Sequence, residues 1–450
     1  MKRSLTATTA LFLLVLSSLP AAVAQARADA VRVEVVQTNG GWQLLRAGAP
    51  VFIRGAGGSA PLTRLREAGG NSIRTWDTNN LSAVLEQAQK LDLTVCAGLW
   101  LRHERDGDNF NYSHPDEVKR QLEIVRQEVL KFKDSPALLV WGLGNEMEDA
   151  TGDKVEIWQA VNAAARLVKQ LDPNHPTMTV IAEMGGNKVV NVHRYCPDID
   201  ILGINSYGGG PTVAARYAGL HGTKPYILAE FGPVGPWETG KTPWGAAYEA
   251  TSTEKAAWYR KTYLGSVAQQ PLCLGSYVFL WGQKQETTAT WFGMFLQDGA
   301  KIGTVDAMTE LWTGQVPAQA CPAIQQLRLR AKSELVPGET FEAELVASDP
   351  NGHPLQVRWL VQPEQTRQLT AGRAENQLPE LTTNILQGGL SHAVVQAPAQ
   401  PGGYRLFVYV RNDAGAAVAN VPFHVSARKS AQRATPLREP LAGGPESRAF

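Results

Sequence analysis

Four cysteines in 450 residues are too few for a disulfide scaffold, and Cys96, Cys196, Cys273 and Cys321 match no metal-ligand spacing. An excess of one charge sign is also absent. The 43 Lys and Arg balance 42 Asp and Glu to a net charge of +1, which argues against a nucleic-acid binder driven by bulk charge. No glycine-rich phosphate loop follows any candidate strand, so the main signal of an open dinucleotide-binding sheet is missing. Beyond the first 26 residues no apolar run is long enough to suggest a membrane span.

Those first residues read as a secretory leader. Lys2 and Arg3 supply a basic start, Ala10 to Leu19 an apolar run too short to cross a bilayer comfortably, and Ala24-Gln25-Ala26 a small-x-small cleavage site. The expectation is a signal peptide over 1–26, export to the periplasm or the outside, and no integral membrane segment in the mature protein. A hydrophobic content of 44% with 19% charged residues is that of globular domains.

Eight short apolar runs follow: Val51–Gly55, Asn71–Trp76, Leu93–Trp100, Ala137–Leu143, Thr177–Ile181, Ile201–Asn205, Tyr226–Ala229 and Leu274–Trp281. Helical periodicity fills several of the intervals. Val118, Leu122, Val125, Val129 and Phe132 share one helical face, with Ser113 and Asp116 placed as a capping box before it; Ile157, Val161, Ala164, Val168 and Leu171 form a second face. Strands alternating with helices in this number predict an α/β fold, a (β/α)8 TIM barrel over 27–317 that opens on a short N-terminal β-hairpin. The period then changes to two. Phe341, Ala343, Leu345 and Ala347 alternate with polar residues, as do Leu355, Val357, Trp359 and Val361, and Tyr404, Leu406, Val408 and Val410. This pattern predicts an immunoglobulin-like β-sandwich over 318–427, followed by a disordered tail over 428–450. The turn at Asp349 and Asn351 has calcium-ligand chemistry, although a plain β-turn explains it more simply.

In a barrel, active residues stand where strands end at the C-terminal face. Glu146 follows the run that ends Leu143-Gly144-Asn145, and Glu230 follows Pro225-Tyr226-Ile227-Leu228-Ala229. Opposed carboxylates from different strands are what glycosidic cleavage needs: one protonates the leaving oxygen while the other attacks, or directs water at, the anomeric carbon. No cofactor and no metal are required. Among the twelve tryptophans are candidate faces for sugar rings.

These segments resemble a known family. Asn145-Glu146 behind a tryptophan-bearing strand looks like the acid/base motif of clan A glycoside hydrolases, and Glu230-Phe231-Gly232 looks like their nucleophile motif. Gly70-Asn71-Ser72-Ile73-Arg74-Thr75-Trp76, Asp172-Pro173-Asn174-His175-Pro176, Asp200 to Tyr207 and Trp291-Phe292-Gly293 resemble, in order, further segments of the glycoside hydrolase family 2 catalytic domain. The resemblance covers roughly residues 45–315. It departs in layout, since family 2 enzymes usually carry a jelly roll and a sandwich before the barrel, and here the sandwich follows it.

The resemblance implies a retaining enzyme with Glu230 as nucleophile and Glu146 as acid/base, their carboxyl groups about 5–5.5 Å apart. Repulsion from ionised Glu230 would raise the pKa of Glu146 until the glycosyl ester forms. Arg74 and Tyr207 would hold Glu230, Asn145 would meet the sugar 2-hydroxyl, and Trp281 would floor the −1 subsite. Trp76, Asp77, Trp100, His103 and Asn205 are further candidates at strand ends. Trp237, Trp244 and Trp291 are candidates for acceptor stacking, and Glu183 for the cleft wall. The expected partner is a β-linked oligosaccharide or polysaccharide, with no nucleic acid. Two alternatives remain: a β-glucan transglycosylase using the same pair, and a non-catalytic carbohydrate-binding envelope protein.

Overall fold

The computed structural model describes residues 30–104, 110–148, 153–330, 334–365 and 375–427. The leader over 1–26 and the tail over 428–450 lie outside these. The chain opens on three antiparallel strands, β1 (Val33–Thr38), β2 (Gly41–Arg46) and β3 (Ala49–Val51), one more than a hairpin. Val33 and Leu44 pack with Ile53, Leu139, Met178, Ile201 and Ile227, so this small sheet closes the bottom of the barrel interior.

Eight strands then alternate with eight helices: β4 (Ile53–Gly57), α1 (Leu62–Glu67), β5 (Ser72–Arg74), α2 (Leu81–Lys90), β6 (Thr94–Leu99), α3 (Pro115–Phe132), β7 (Leu138–Leu143), α4 (Val155–Leu171), β8 (Thr177–Ala182), α5 (Lys188–Tyr195), β9 (Ile201–Asn205), α6 (Val213–Gly219), β10 (Tyr226–Phe231), α7 (Ser252–Ser266), β11 (Cys273–Phe279) and α8 (Gly303–Thr313). The strands form a closed barrel in which neighbours are parallel, β11 returning to β4. β6, β7, β10 and β11 are buried throughout, which is why they read as unbroken apolar runs rather than alternating ones.

Local chemistry explains two motifs. The capping box placed at Ser113 does not form. Pro115 opens α3, His114 takes the N-cap without a side-chain bond, and Asn111 Oδ1 accepts the Ser113 amide instead. A true box caps α7, where Thr251 Oγ1 accepts the Glu254 amide and Glu254 accepts that of Thr251. In the turn before β8, buried Asp172 accepts from Trp141 Nε1 at 2.8 Å and the Asn174 amide at 3.0 Å, and lies 2.8 Å from His175 Nδ1. The motif at 172–176 is therefore a structural lock.

The sandwich comprises β12 (Ala323–Arg330), β13 (Glu334–Leu335), β14 (Thr340–Ser348), β15 (Gln356–Pro363), β16 (Ile385–Gly388), β17 (His392–Gln396), β18 (Gly402–Arg411) and β19 (Ala416–Val425). One sheet runs β12-β14-β17-β16 and the other β13-β19-β18-β15. Phe341, Leu345, Trp359, Leu406 and Val408 meet between them. The second sheet is covered on its outer face too: Leu360, Phe407 and Val418 pack on Leu296 and Ile302 of the barrel. A buried ion cluster fastens this seam. Glu249 accepts from Lys255 Nζ (2.5 Å), Thr288 Oγ1 (2.6 Å), Thr290 Oγ1 (2.8 Å) and Asn420 Nδ2 (2.6 Å), while Arg405 holds Glu364, Asn420 and the Ala247 carbonyl.

The four cysteines are free and buried. At the Asp349 turn the carboxylate accepts the amides of Asn351 and His353 and the side chain of Asn412, as in a hydrogen-bonded β-turn. Among the described residues no helix is long and apolar enough to cross a membrane, and no group of acidic, His and Cys side chains is arranged to hold a metal.

Candidate active site

β7 and β10 end on the same rim of the barrel, and each is followed or closed by a glutamate. Glu230 is the fifth residue of β10 and is 6% exposed. Three donors are aimed at its carboxylate: Arg74 Nη1 (2.8 Å) and Trp76 Nε1 (2.7 Å) to Oε1, and Tyr207 OH (2.8 Å) to Oε2. Arg74, 3% exposed at the end of β5, also donates to the Ala229 carbonyl, which fixes the guanidinium against β10. Its Cζ lies 5.1 Å from the Trp76 ring, so the two donors to Oε1 support each other.

Glu146 stands three residues beyond β7, with a left-handed backbone (φ 52°) and its amide donating to the Val180 carbonyl at 2.9 Å. A non-glycine residue in that region is held there by its surroundings. Asn205 Nδ2, closing β9, donates to Glu146 Oε1 at 2.7 Å and to Asn145 Oδ1 at 3.2 Å. Asn145 Oδ1 in turn accepts from Arg74 Nη2 at 2.7 Å. The two carboxylates are thus joined by one hydrogen-bonded path, Glu146–Asn205–Asn145–Arg74–Glu230, drawn from four strand ends.

Tyr207 is buried. Burial pushes its phenol well above the ordinary value, and the charges of Glu230 and Glu146 push it further the same way. The hydroxyl therefore stays protonated and donates. Trp258 Nε1 holds the Tyr207 carbonyl at 3.1 Å.

The remaining candidates separate. Trp281 is not the floor of the site: it is wholly buried, packed on Phe295 at 5.0 Å and on Trp312, because the strand ends at Phe279 and the chain then turns under α8. The aromatic at the carboxylates is Phe279, edge-on to both Trp76 and Tyr207 at 5.9 Å. Trp291 is buried as well, its indole donating to the Val234 carbonyl, so it offers no stacking face. Trp244 packs on His424 of the sandwich. Trp237 is half exposed and meets Tyr207 edge-on at 5.7 Å, which puts an open indole at the rim. Trp100 is partly exposed and stacks on buried His103 at 5.0 Å, just beyond β6. Asp77 accepts the Asn79 amide in a local turn, and Glu183 is held by Arg216 at 2.6 Å.

Sequence reasoning passed over Phe279, Glu148 and the pair Lys284–Glu286. Glu148 is buried against Lys188 at 3.1 Å, and burial raises its pKa. Lys284 sits 5.7 Å over the Phe279 ring and 2.8 Å from Glu286, whose charge also reaches Tyr207. No local signal marked Phe279, which lies inside the apolar run Leu274–Trp281, two residues before the more conspicuous tryptophan.

No family model matches the chain, and no curated protein matches it. Solved structures do. Among them are glycoside hydrolases. A calcium-binding mutant of Bacteroides uniformis beta-glucuronidase 2 has a TM-score of 0.49 and 14% identity, with 86% of this chain and 47% of that chain covered. Faecalibacterium prausnitzii beta-glucuronidase has a TM-score of 0.49 and 16% identity over 63% of this chain and 52% of its own. The glycoside hydrolase family 2 beta-galacturonidase of Eisenbergiella tayi, solved with galacturonate, has a TM-score of 0.48 and 15% identity over 63% and 55%. This chain spans about half the length of these structures.

Proposed function

We propose that the protein is an exported retaining β-glycosidase acting on β-linked oligo- or polysaccharide. The observation that carries this reading is the hydrogen-bonded path from Glu146 to Glu230. It sets one buried carboxylate among three donors and joins it to a second, more accessible carboxylate that meets the Asn205 amide. The first environment suits an ionised nucleophile. The second, less deeply buried, suits a group that gives and takes a proton.

In the first displacement Glu230 attacks the anomeric carbon, and Glu146 gives its proton to the departing oxygen. The nucleophile's charge is lost in the ester, so Glu146 then takes the proton of an incoming water, which attacks the same carbon and releases Glu230. Arg74, Trp76 and Tyr207 keep Glu230 oriented through both steps, and Asn145 lies where a 2-hydroxyl could be met. Phe279, flanked by Trp76 and Tyr207, supplies the apolar floor.

The test is a panel of reduced β-linked oligosaccharides, with products read by mass spectrometry beside Glu230→Ala. Shorter products alone identify a hydrolase and its linkage; longer products appearing with them identify transfer to a sugar acceptor. Loss of the nucleophile should cost about 10⁴-fold or more in kcat. Retention is read by proton NMR of the first anomer released. An inverted product refutes the double displacement, and undiminished function in Glu230→Ala would favour a carbohydrate-binding protein. Export is tested by sequencing the mature N-terminus, expected at Arg27.

A further inference from the structure

We propose a second saccharide-binding site in the groove between the barrel rim and the sandwich, an accessory site for a neutral β-linked polymer; the inference rests on the glycoside-processing reading above. The groove encloses a cavity of ≈ 440 Å³, within the range of about 300–1,000 Å³ typical of ligand sites. One wall is the segment after β11, with Gln283 and Gln285; the other is sandwich, with Gln362 of β15, Gln377, and Tyr409 of β18.

Three observations point to a neutral sugar chain. First, the wall is rich in primary amides, which donate and accept at once and so match vicinal hydroxyls. Gln285 is 5% exposed, and its Nε2 has no hydrogen-bond partner among the described residues. A buried donor left open at a cavity wall is costly unless something occupies the cavity. Second, the charges are already matched. Arg358 pairs with Glu380, and Arg411 with Asp298 at 2.7 Å, so the walls present no surplus cation for an acidic polymer. Third, the groove is joined to the carboxylates by one short segment. Along it, Lys284 lies over Phe279 and pairs with Glu286, and Phe292 farther on meets the Tyr207 ring at 5.4 Å, whereas Gln283 and Gln285 line the groove. Alternate residues of an extended segment face opposite ways. A chain bound in the groove therefore lies against the back of the segment that borders the catalytic pair.

The site is tested with the full mature chain. Gln377→Trp, at the exposed edge, fills the groove without touching the segment after β11, and Gln285→Ala removes the open amide. Native gels containing soluble β-1,3-glucan, hydroxyethyl cellulose, glucomannan, β-1,4-galactan or polygalacturonate measure binding using Glu230→Ala protein. At least one neutral polymer should retard it, and each groove substitution should weaken that retardation about tenfold. In the active enzyme the same substitutions should raise KM for the polymer by a similar factor. They should leave kcat/KM on a small aryl β-glycoside within about twofold. Retardation lost on groove substitution in a protein that turns over no glycoside would uphold the site and sink the enzymatic reading. Turnover of the small glycoside with no retardation in any neutral polymer, or retardation that both substitutions leave intact, would overturn the site. Selective retardation by polygalacturonate would overturn it too.

Discussion

Replacing Glu249 by Gln should destabilise the protein far more than a surface change, and the structure supplies the magnitude. The carboxylate is 1% exposed and faces Lys255, whose side chain is 2% exposed. With the charge removed, the ammonium keeps its bond to the Thr290 carbonyl at 2.7 Å but has no counter-charge in Glu249 and remains buried. Breaking such a pair costs about 3–5 kcal/mol. For domains of this size that is a fall in Tm of roughly 10 °C, measurable by calorimetry at pH 7. The double variant Glu249→Gln/Lys255→Met leaves no charge in the seam and should recover most of the loss. Acid provides a second readout. Burial pushes the Glu249 carboxyl up, but Lys255 and Arg405 outweigh it and hold it below the ordinary value. A depressed carboxylate stabilises fully above its unfolded pKa of about 4.3, and that contribution is lost as pH falls through the folded value. The native protein should therefore lose Tm below about pH 4 by more than the double variant does. A single variant within about 0.5 kcal/mol of native, or two substitutions that simply add, would refute the account.

Arg74→Lys should lower kcat about 10²–10³-fold with little change in KM, because one ammonium cannot serve Glu230, Asn145 and the Ala229 carbonyl together; equal loss in KM alone contradicts this. Tyr207→Phe should cost about 10²-fold in kcat. Since burial and the two glutamates raise the phenol well above 10, the native pH–rate profile should show no alkaline limb due to Tyr207 below pH 10. A limb in that range that vanishes in Tyr207→Phe would count against the assignment. Trp281→Ala should cost about 3–5 kcal/mol of stability, read as a lower Tm. Phe279→Ala should act mainly on kcat and KM, and the reverse ranking would restore Trp281 to the site.

The barrel was legible because parallel strands buried on both faces leave uninterrupted apolar runs, and each of the eight runs contains or overlaps a strand of the closed sheet. Glu146 and Glu230 were legible for a related reason: a charge directly after such a run has no place but the rim. The path between them was not. Asn205 and Asn145 meet only because β9 pairs with both β10 and β8, setting Asn205 level with Glu230 and Ala182, and no spacing along the chain encodes that register. Trp281 misled through residue type, since a large aromatic beyond a strand can face the cleft or the helices with the same local sequence. The false capping box at Ser113 failed on Pro115, whose position at the first helical residue moves the start of α3 past Ser113.

The sandwich shows most clearly where periodicity stops informing. Tyr404, Leu406, Val408 and Val410 alternate as for a sheet with one wet face. Yet the residues between them are Arg405, Phe407 and Tyr409, and Phe407 and Arg405 are 1% and 2% exposed. A face that buries an arginine must satisfy it, and Arg405 is satisfied partly by the barrel, through the Ala247 carbonyl. Asn420 of the neighbouring strand reaches Glu249, and Glu249 reaches Thr288 and Thr290. Those threonines belong to the same segment as Lys284 and Glu286. The sandwich thus grips, through buried polar contacts, the stretch of chain that borders Tyr207 and Phe279. Loosening β18 from the barrel should accordingly be felt at the rim that carries Glu146 and Glu230, although the hydrogen-bonded path that joins them, Glu146–Asn205–Asn145–Arg74–Glu230, runs through barrel residues.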